Sequence, residues 1–194
     1  MKAVLKKARV PIIVTLLALL AISYYIYLNN RDTSTKSKAT TAKETPITRD
    51  MSEDYPEGYC DVVDYFVQLQ KVIYKDDLSD DELAGYAQHM RALFDDELLS
   101  QNGNDYETYL MNLKLEIVSY KADDKSIKNY EVQSKNTVAT YKIDSENYAE
   151  VSVKYYFQVD DDVVAFYEKY TLRQDDAGQW KILYWEMSDG SDMN

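Results

Sequence analysis

The chain has 194 residues, 45% apolar, 13% aromatic and 29% charged, with 22 basic and 34 acidic side chains and a formal net charge of −12. At that length one ordinary domain is expected, with about 50 residues left for something else. The single cysteine, Cys60, excludes both a disulfide framework within the chain and a cysteine-based zinc cluster.

Charge divides by position. The first 30 residues carry Lys2, Lys6, Lys7 and Arg9 and no acid; residues 31–54 are balanced; the remainder holds −16. Nucleic acid is excluded as a partner of so acidic a body, because phosphate binding depends on clustered Lys and Arg. Sixteen of the 19 tyrosines lie from Tyr55 onward, with all four Phe and both Trp. That supply of large apolar side chains excludes disorder for the body.

After a basic tail at 1–9, Val10–Leu28 is an uncharged, mostly apolar run. A helix of 19 residues covers ~28 Å, close to the hydrocarbon thickness of a bilayer. The segment is therefore expected to be a transmembrane helix, with Tyr24, Tyr25 and Tyr27 in the headgroup layer. A signal peptide cut after Ala21-Ile22-Ser23 is the alternative. Both export the rest of the chain, and the basic tail favours a cytoplasmic N-terminus with the C-terminal domain outside the cell membrane. Residues 29–54 have no apolar period and are expected to form a flexible linker, leaving 55–190 as the extracytoplasmic domain.

The body opens with helical spacing. Val62, Phe66, Leu69 and Ile73 make one stripe and Cys60, Val63, Val67 and Tyr74 a second, leaving a polar arc of Asp61, Asp64, Gln68, Lys71 and Lys75. A helix so widely apolar is expected to be buried on two sides. Ser79-Asp80-Asp81-Glu82 is a capping box and starts a second helix, with Leu83, Ala87, Met90 and Phe94 inward and Leu98 nearby, closed by Asn102-Gly103-Asn104. Asp105 caps a short third helix to about Leu113.

From Leu115 the period shortens to two. Leu115–Lys121 is a weak strand, Tyr130–Ile143 a longer one, and Tyr148–Val159 alternates Ala149, Val151, Val153, Tyr155, Phe157 and Val159 against a polar face. Turns at 144–147, 160–162 and 175–178 separate these from Val163–Arg173 and Gln179–Ser188. Antiparallel strands this long coil strongly, so the sheet is expected to wrap around the helices. The expected class is α+β, three helices packed on a strongly curved antiparallel sheet of four to five strands.

Three helices followed by a long curved meander, ending in Asp176-Ala177-Gly178-Gln179-Trp180-Lys181-Ile182-Leu183-Tyr184-Trp185, resemble the nuclear-transport-factor-2-like superfamily over residues 57–188. This is the cone-shaped fold of SnoaL-like cyclases, ketosteroid isomerase and scytalone dehydratase. The resemblance implies a pocket at the open end of the cone, with an Asp or Glu base projecting from the sheet. Membrane-anchored domains of this shape also occur in conjugation and type IV secretion machineries and in Gram-positive envelopes, with no motif tying this chain to one of them, and related domains dimerise through the sheet face.

On the fourth strand Val164, Phe166, Glu168, Tyr170 and Leu172 share one face, and Glu168 breaks an otherwise apolar row. A carboxylate there is either a group with a raised pKa in a low-dielectric pocket or the partner of a lysine or tyrosine. Glu168 is thus the candidate catalytic residue, and Tyr155, Phe166, Glu168, Tyr170 and Tyr184 the candidate pocket lining, with Glu186 a further inward candidate. His89 falls about 120° from Leu83, on the flank of its helix. Cys60 has the position of a small core residue. The acidic clusters do not match a calcium-binding loop and are expected to solubilise turns; neither metal nor cofactor is implied. The function expected is a non-catalytic binding or assembly module displayed outside the cell, with a small-molecule isomerase, dehydratase or cyclase, or an envelope-complex subunit, as alternatives.

Overall fold

The computed structural model describes residues 46–101, 105–159 and 162–193, and the segments read as basic tail and transmembrane helix lie outside them. Among the described residues no helix is long and apolar enough to cross a membrane. The elements are α1 (Tyr59–Lys75), α2 (Asp80–Ala92), α3 (Asp96–Gln101), α4 (Tyr106–Ala122), β1 (Ser126–Val132), β2 (Ala139–Ile143), β3 (Glu146–Val159), β4 (Asp162–Gln174) and β5 (Trp180–Ser188). Four helices, one more than expected, pack on a five-stranded antiparallel sheet.

α1 begins where the Asp61 carboxylate accepts the Gly58 amide at 3.1 Å. Its two apolar stripes carry Val62, Val63, Phe66, Val67, Leu69 and Ile73, each at most 1% exposed, and each such burial contributes about 1.5–3 kcal/mol. The helix lies between the sheet (β1, β3, β5) and the other helices (α2, α4), as an apolar face this wide requires. The α2 capping box forms as its sequence predicts: Ser79 Oγ accepts the Glu82 amide at 3.3 Å while Glu82 accepts the Ser79 amide at 2.8 Å. α2 stops at Ala92 because Leu93–Asp95 pairs with β5 instead. The Ile182 amide donates to the Leu93 carbonyl and the Asp95 amide to the Ile182 carbonyl, both at 2.8 Å. Phe94 is therefore on an extended bridge, not on α2, and Leu98 belongs to α3.

The weak strand expected at Leu115–Lys121 is the second half of α4, capped by Asp105, which accepts the Thr108 amide at 3.0 Å. Its period misleads because the helix is apolar on its outer face too: Met111, Leu115 and Val118 are 57%, 64% and 64% exposed.

The strand expected from Tyr130 to Ile143 is two. β1 pairs with the second half of β3 (Val132 opposite Val153) and β2 with the first (Ala139 opposite Glu150). A 3-10 turn, Lys135–Thr137, separates them. Gln133, 6% exposed, pins the break, its amide group donating to the Thr137 and Asp192 carbonyls while its oxygen accepts the Ser152 amide at 2.9 Å. The sheet order is β1-β3-β4-β5, with β2 beside β3. β3 and β4 stay in register over twelve pairs.

The chain before and after this frame also packs on it. Residues 46–54, the end of the segment read as linker, bear on α1 and α2, with Ile47 and Met51 against the core and Arg49 stacked 5.0 Å from the Tyr65 ring. The turn Ser191–Met193 folds over the outer face of the sheet, where Asp192 pairs with Lys169 at 2.7 Å and Ser152 and Thr171 become 0% and 3% exposed. Gly190 permits that approach: its φ is +73°, and a Cβ there would stand 2.6 Å from the Tyr167 ring.

Candidate functional site

Between α1, α4 and the inner face of the sheet is a cavity of about 270 Å³, just under the usual range for ligand pockets. Nine of its sixteen lining residues are aromatic: Phe66, Tyr74, Phe94, Tyr109, Tyr120, Tyr155, Phe157, Phe166 and Trp185. The packing is edge-to-face on one side, as between Phe66 and Phe94 (5.6 Å, 60°), and stacked on the other, as between Tyr155 and Phe166 (5.0 Å, 12°). α1 supplies Phe66, Gln70 and Tyr74 at four-residue spacing. α4 supplies Tyr109, Asn112, Leu113, Glu116 and Tyr120, a single helical stripe, with Asn112 and Glu116 exposed at the mouth.

Glu168 is brought to this cavity from β4. Its Oε2 accepts the Tyr170 hydroxyl at 2.7 Å, that hydroxyl lies 2.6 Å from the Tyr155 hydroxyl, and Tyr155 donates to Gln70 Oε1 at 3.1 Å. Each phenol owns one proton. An ionised Glu168 takes that of Tyr170, leaving Tyr155 to serve either Tyr170 or Gln70; a protonated Glu168 can feed the whole row and satisfy all three contacts. Burial pushes the Glu168 carboxyl above the ordinary carboxylate range, reinforced by Glu116 and opposed by the two phenols. Burial, followed by the Glu168 charge, holds Tyr155 and Tyr170 well above the usual phenol value. At the mouth Tyr74 donates to Glu116 Oε1 at 2.7 Å and stacks on Tyr120 (4.4 Å, 13°). Tyr120 is pushed up to about 12 by burial and by both carboxylates.

Of the residues the sequence nominates, Tyr155, Phe166 and Glu168 line the cavity. Tyr170 stands one layer behind, 0% exposed, with its hydroxyl on Glu168 and Tyr155 and its ring against Trp185 and Phe66. Tyr184 and Glu186 do not join them. A bulge sets Thr171 opposite Tyr184 but Leu172 opposite Ile182, so Leu183 is unpaired and every later side chain on β5 changes face. Tyr184, 46% exposed, and Glu186 thus point outward. Trp185 takes the inward place, opposite Tyr170 and 5.7 Å from the Phe66 ring. Alternation alone carries no trace of that bulge. Gln70 lies on the expected first helix, whereas Glu116 and Tyr120 fall in the segment expected to be a strand, so the helical face they share carries no signal without the full length of α4.

The two other singled-out residues lie elsewhere. His89, half-buried on the flank of α2, has its Nδ1 2.5 Å from the Tyr65 hydroxyl, and burial lowers its pKa. Cys60 is half-buried, 3.7 Å from the Gln133 carbonyl, and burial pushes its thiol up to about 11, which leaves it unreactive near neutrality. Among the described residues no group of three or more His, Cys, Asp or Glu is placed to hold a metal ion. The acidic pairs instead take lysines: Asp77 with Lys121 at 2.6 Å and Asp80 with Lys114 at 2.5 Å.

The family described as a domain of unknown function, DUF6715, matches the chain over residues 1–185. No curated protein matches it.

Proposed function

The chain belongs to the DUF6715 family, and we propose that its body is a small-molecule-binding domain held outside the cell by the apolar segment at 10–28. The observation that carries this reading is the aromatic cavity of about 270 Å³ with the half-buried carboxylate of Glu168 at its wall. A protein that needed only a packed core would fill such a space, because an unfilled cavity costs stability in proportion to its volume. The nuclear-transport-factor-2-like resemblance supports the same reading, since it implies a ligand site at this place in the fold. A homodimer through the sheet face would have to use Tyr141, Tyr148 and Tyr184, because the turn at 191–193 covers the middle of that face.

Trp185 supplies the test. Trp180→Phe leaves it the only indole in the chain, and Trp180 lies outside the cavity. Small aromatic and aliphatic ligands titrated against this variant are expected to shift Trp185 emission, and adding Leu113→Phe, which fills space in the cavity without a second indole, is expected to abolish the response. Shifts that survive the filled cavity, or none from any ligand, would refute the reading.

The raised carboxyl of Glu168 beside two phenols also favours an enzyme with Glu168 as general base or acid. That reading predicts turnover that Glu168→Gln abolishes while ligand binding persists.

A further inference from the structure

We infer that the cavity takes a small organic cation, an amine or quaternary ammonium held between the aromatic walls and the carboxylates of Glu168 and Glu116. The inference deepens the ligand-pocket reading above and depends on it.

Three observations point to positive charge. None of the sixteen lining residues is Lys, Arg or His, whereas two are Glu. Among the described residues neither Glu168 nor Glu116 is in any ion pair, although ten ion pairs form elsewhere. The rest of the wall is largely aromatic, and ring faces attract cations most strongly where water is excluded. A buried carboxylate without a counter-charge is costly, so a ligand that brings the counter-charge removes a cost that a neutral ligand leaves in place. The size of the cavity restricts the ligand to a few heavy atoms around the charge, and the −16 body draws cations toward the mouth.

The titratable groups facing Glu168 are Tyr155 and Tyr170 from the sheet, Tyr74 from α1, and Glu116, Tyr109 and Tyr120 from α4. The phenols all sit above their usual range and stay neutral between pH 5 and 8, so the charge of the wall is carried by carboxylate alone. Cation affinity therefore rises with pH as Glu168 ionises, and neutral-ligand affinity does not.

The experiment compares choline with 3,3-dimethylbutan-1-ol, the same shape with carbon in place of nitrogen, by calorimetry on the full-length chain. Choline is expected to bind on the order of 30-fold more tightly, the difference a desolvated cation–π contact supplies, with affinity increasing as the pH rises above the ordinary carboxylate range. Glu168→Gln is expected to weaken choline severalfold and so to shrink the preference while the alcohol still binds. Glu116 is exposed, so Glu116→Gln is free of any folding problem and is expected to weaken choline severalfold and leave the alcohol unchanged. Equal or tighter binding of the alcohol overturns the cation assignment and leaves the ligand pocket standing. Failure of choline, tetramethylammonium and butylamine to bind up to about 10 mM, a very weak affinity, overturns it as well.

Discussion

Glu168 owes its place on the cavity wall to the unbroken pairing of β4 with β3. Strict alternation along β4 puts it among Val164, Phe166, Tyr170 and Leu172, and β4 pairs with β3 without a register shift, so the inward assignment holds. The same alternation fails on β5, where one unpaired residue exchanges Tyr184 and Glu186 for Trp185. The half-buried carboxylate has a consequence for stability. Its pKa is raised in the folded protein, so between the unfolded value near 4.5 and the folded one the native state binds the extra proton, and stability falls as pH rises through the folded pKa. Glu168→Gln removes that penalty. It is expected to raise the melting temperature at pH 7 and to match the parent near pH 4, by thermal denaturation across that range. A lower melting temperature at pH 7 would mean that the carboxylate stabilises the wall it lines.

At the scale of the element, the ends of the helices were the clearest sequence signals, since caps are local: Ser79 with Glu82 and Asp105 with Thr108 need no knowledge of the rest of the fold. α4 was hidden because it is apolar on two faces. Tyr109, Leu113 and Tyr120 turn toward the cavity beside Asn112 and Glu116 while Met111, Leu115 and Val118 face out, so apolar residues on both sides blur the helical period. The division of β1 from β2 was hidden for another reason, because it rests on the long-range contacts of Gln133 with Ser152 and Asp192. The β2–β3 hairpin carries local strain. Asp144 and Ser145 hold φ of 47° and 79°, the left-handed pair that a two-residue hairpin demands and that Asn-Gly meets best. Asp144→Asn with Ser145→Gly is expected to stabilise the protein by about 0.5–1 kcal/mol, measured by urea denaturation, without altering Trp185 emission. A loss of stability would place the turn outside that geometry.

For the whole molecule, the order of helical periods before strand periods sufficed for the α+β class, because that order is a property of long segments that single irregularities do not change. The same long-segment reasoning bears on residues 1–45. An apolar run of 19 residues exceeds the 7–15 of a signal-peptide core and matches a bilayer at ~28 Å. A −16 body held near an anionic leaflet is repelled by it, so a long, balanced linker is what an anchored form of this domain requires. The anchored reading predicts that the full-length chain sediments with membranes, resists alkaline extraction and keeps its first residues, and that protease added to intact cells removes the body. Cleavage after Ala21-Ile22-Ser23 predicts instead a chain that begins at Tyr24 and is recovered in the soluble fraction. Mass spectrometry of the N-terminus together with fractionation separates the two, because both leave the same folded body and differ only in whether the whole apolar segment at 10–28 stays attached to it.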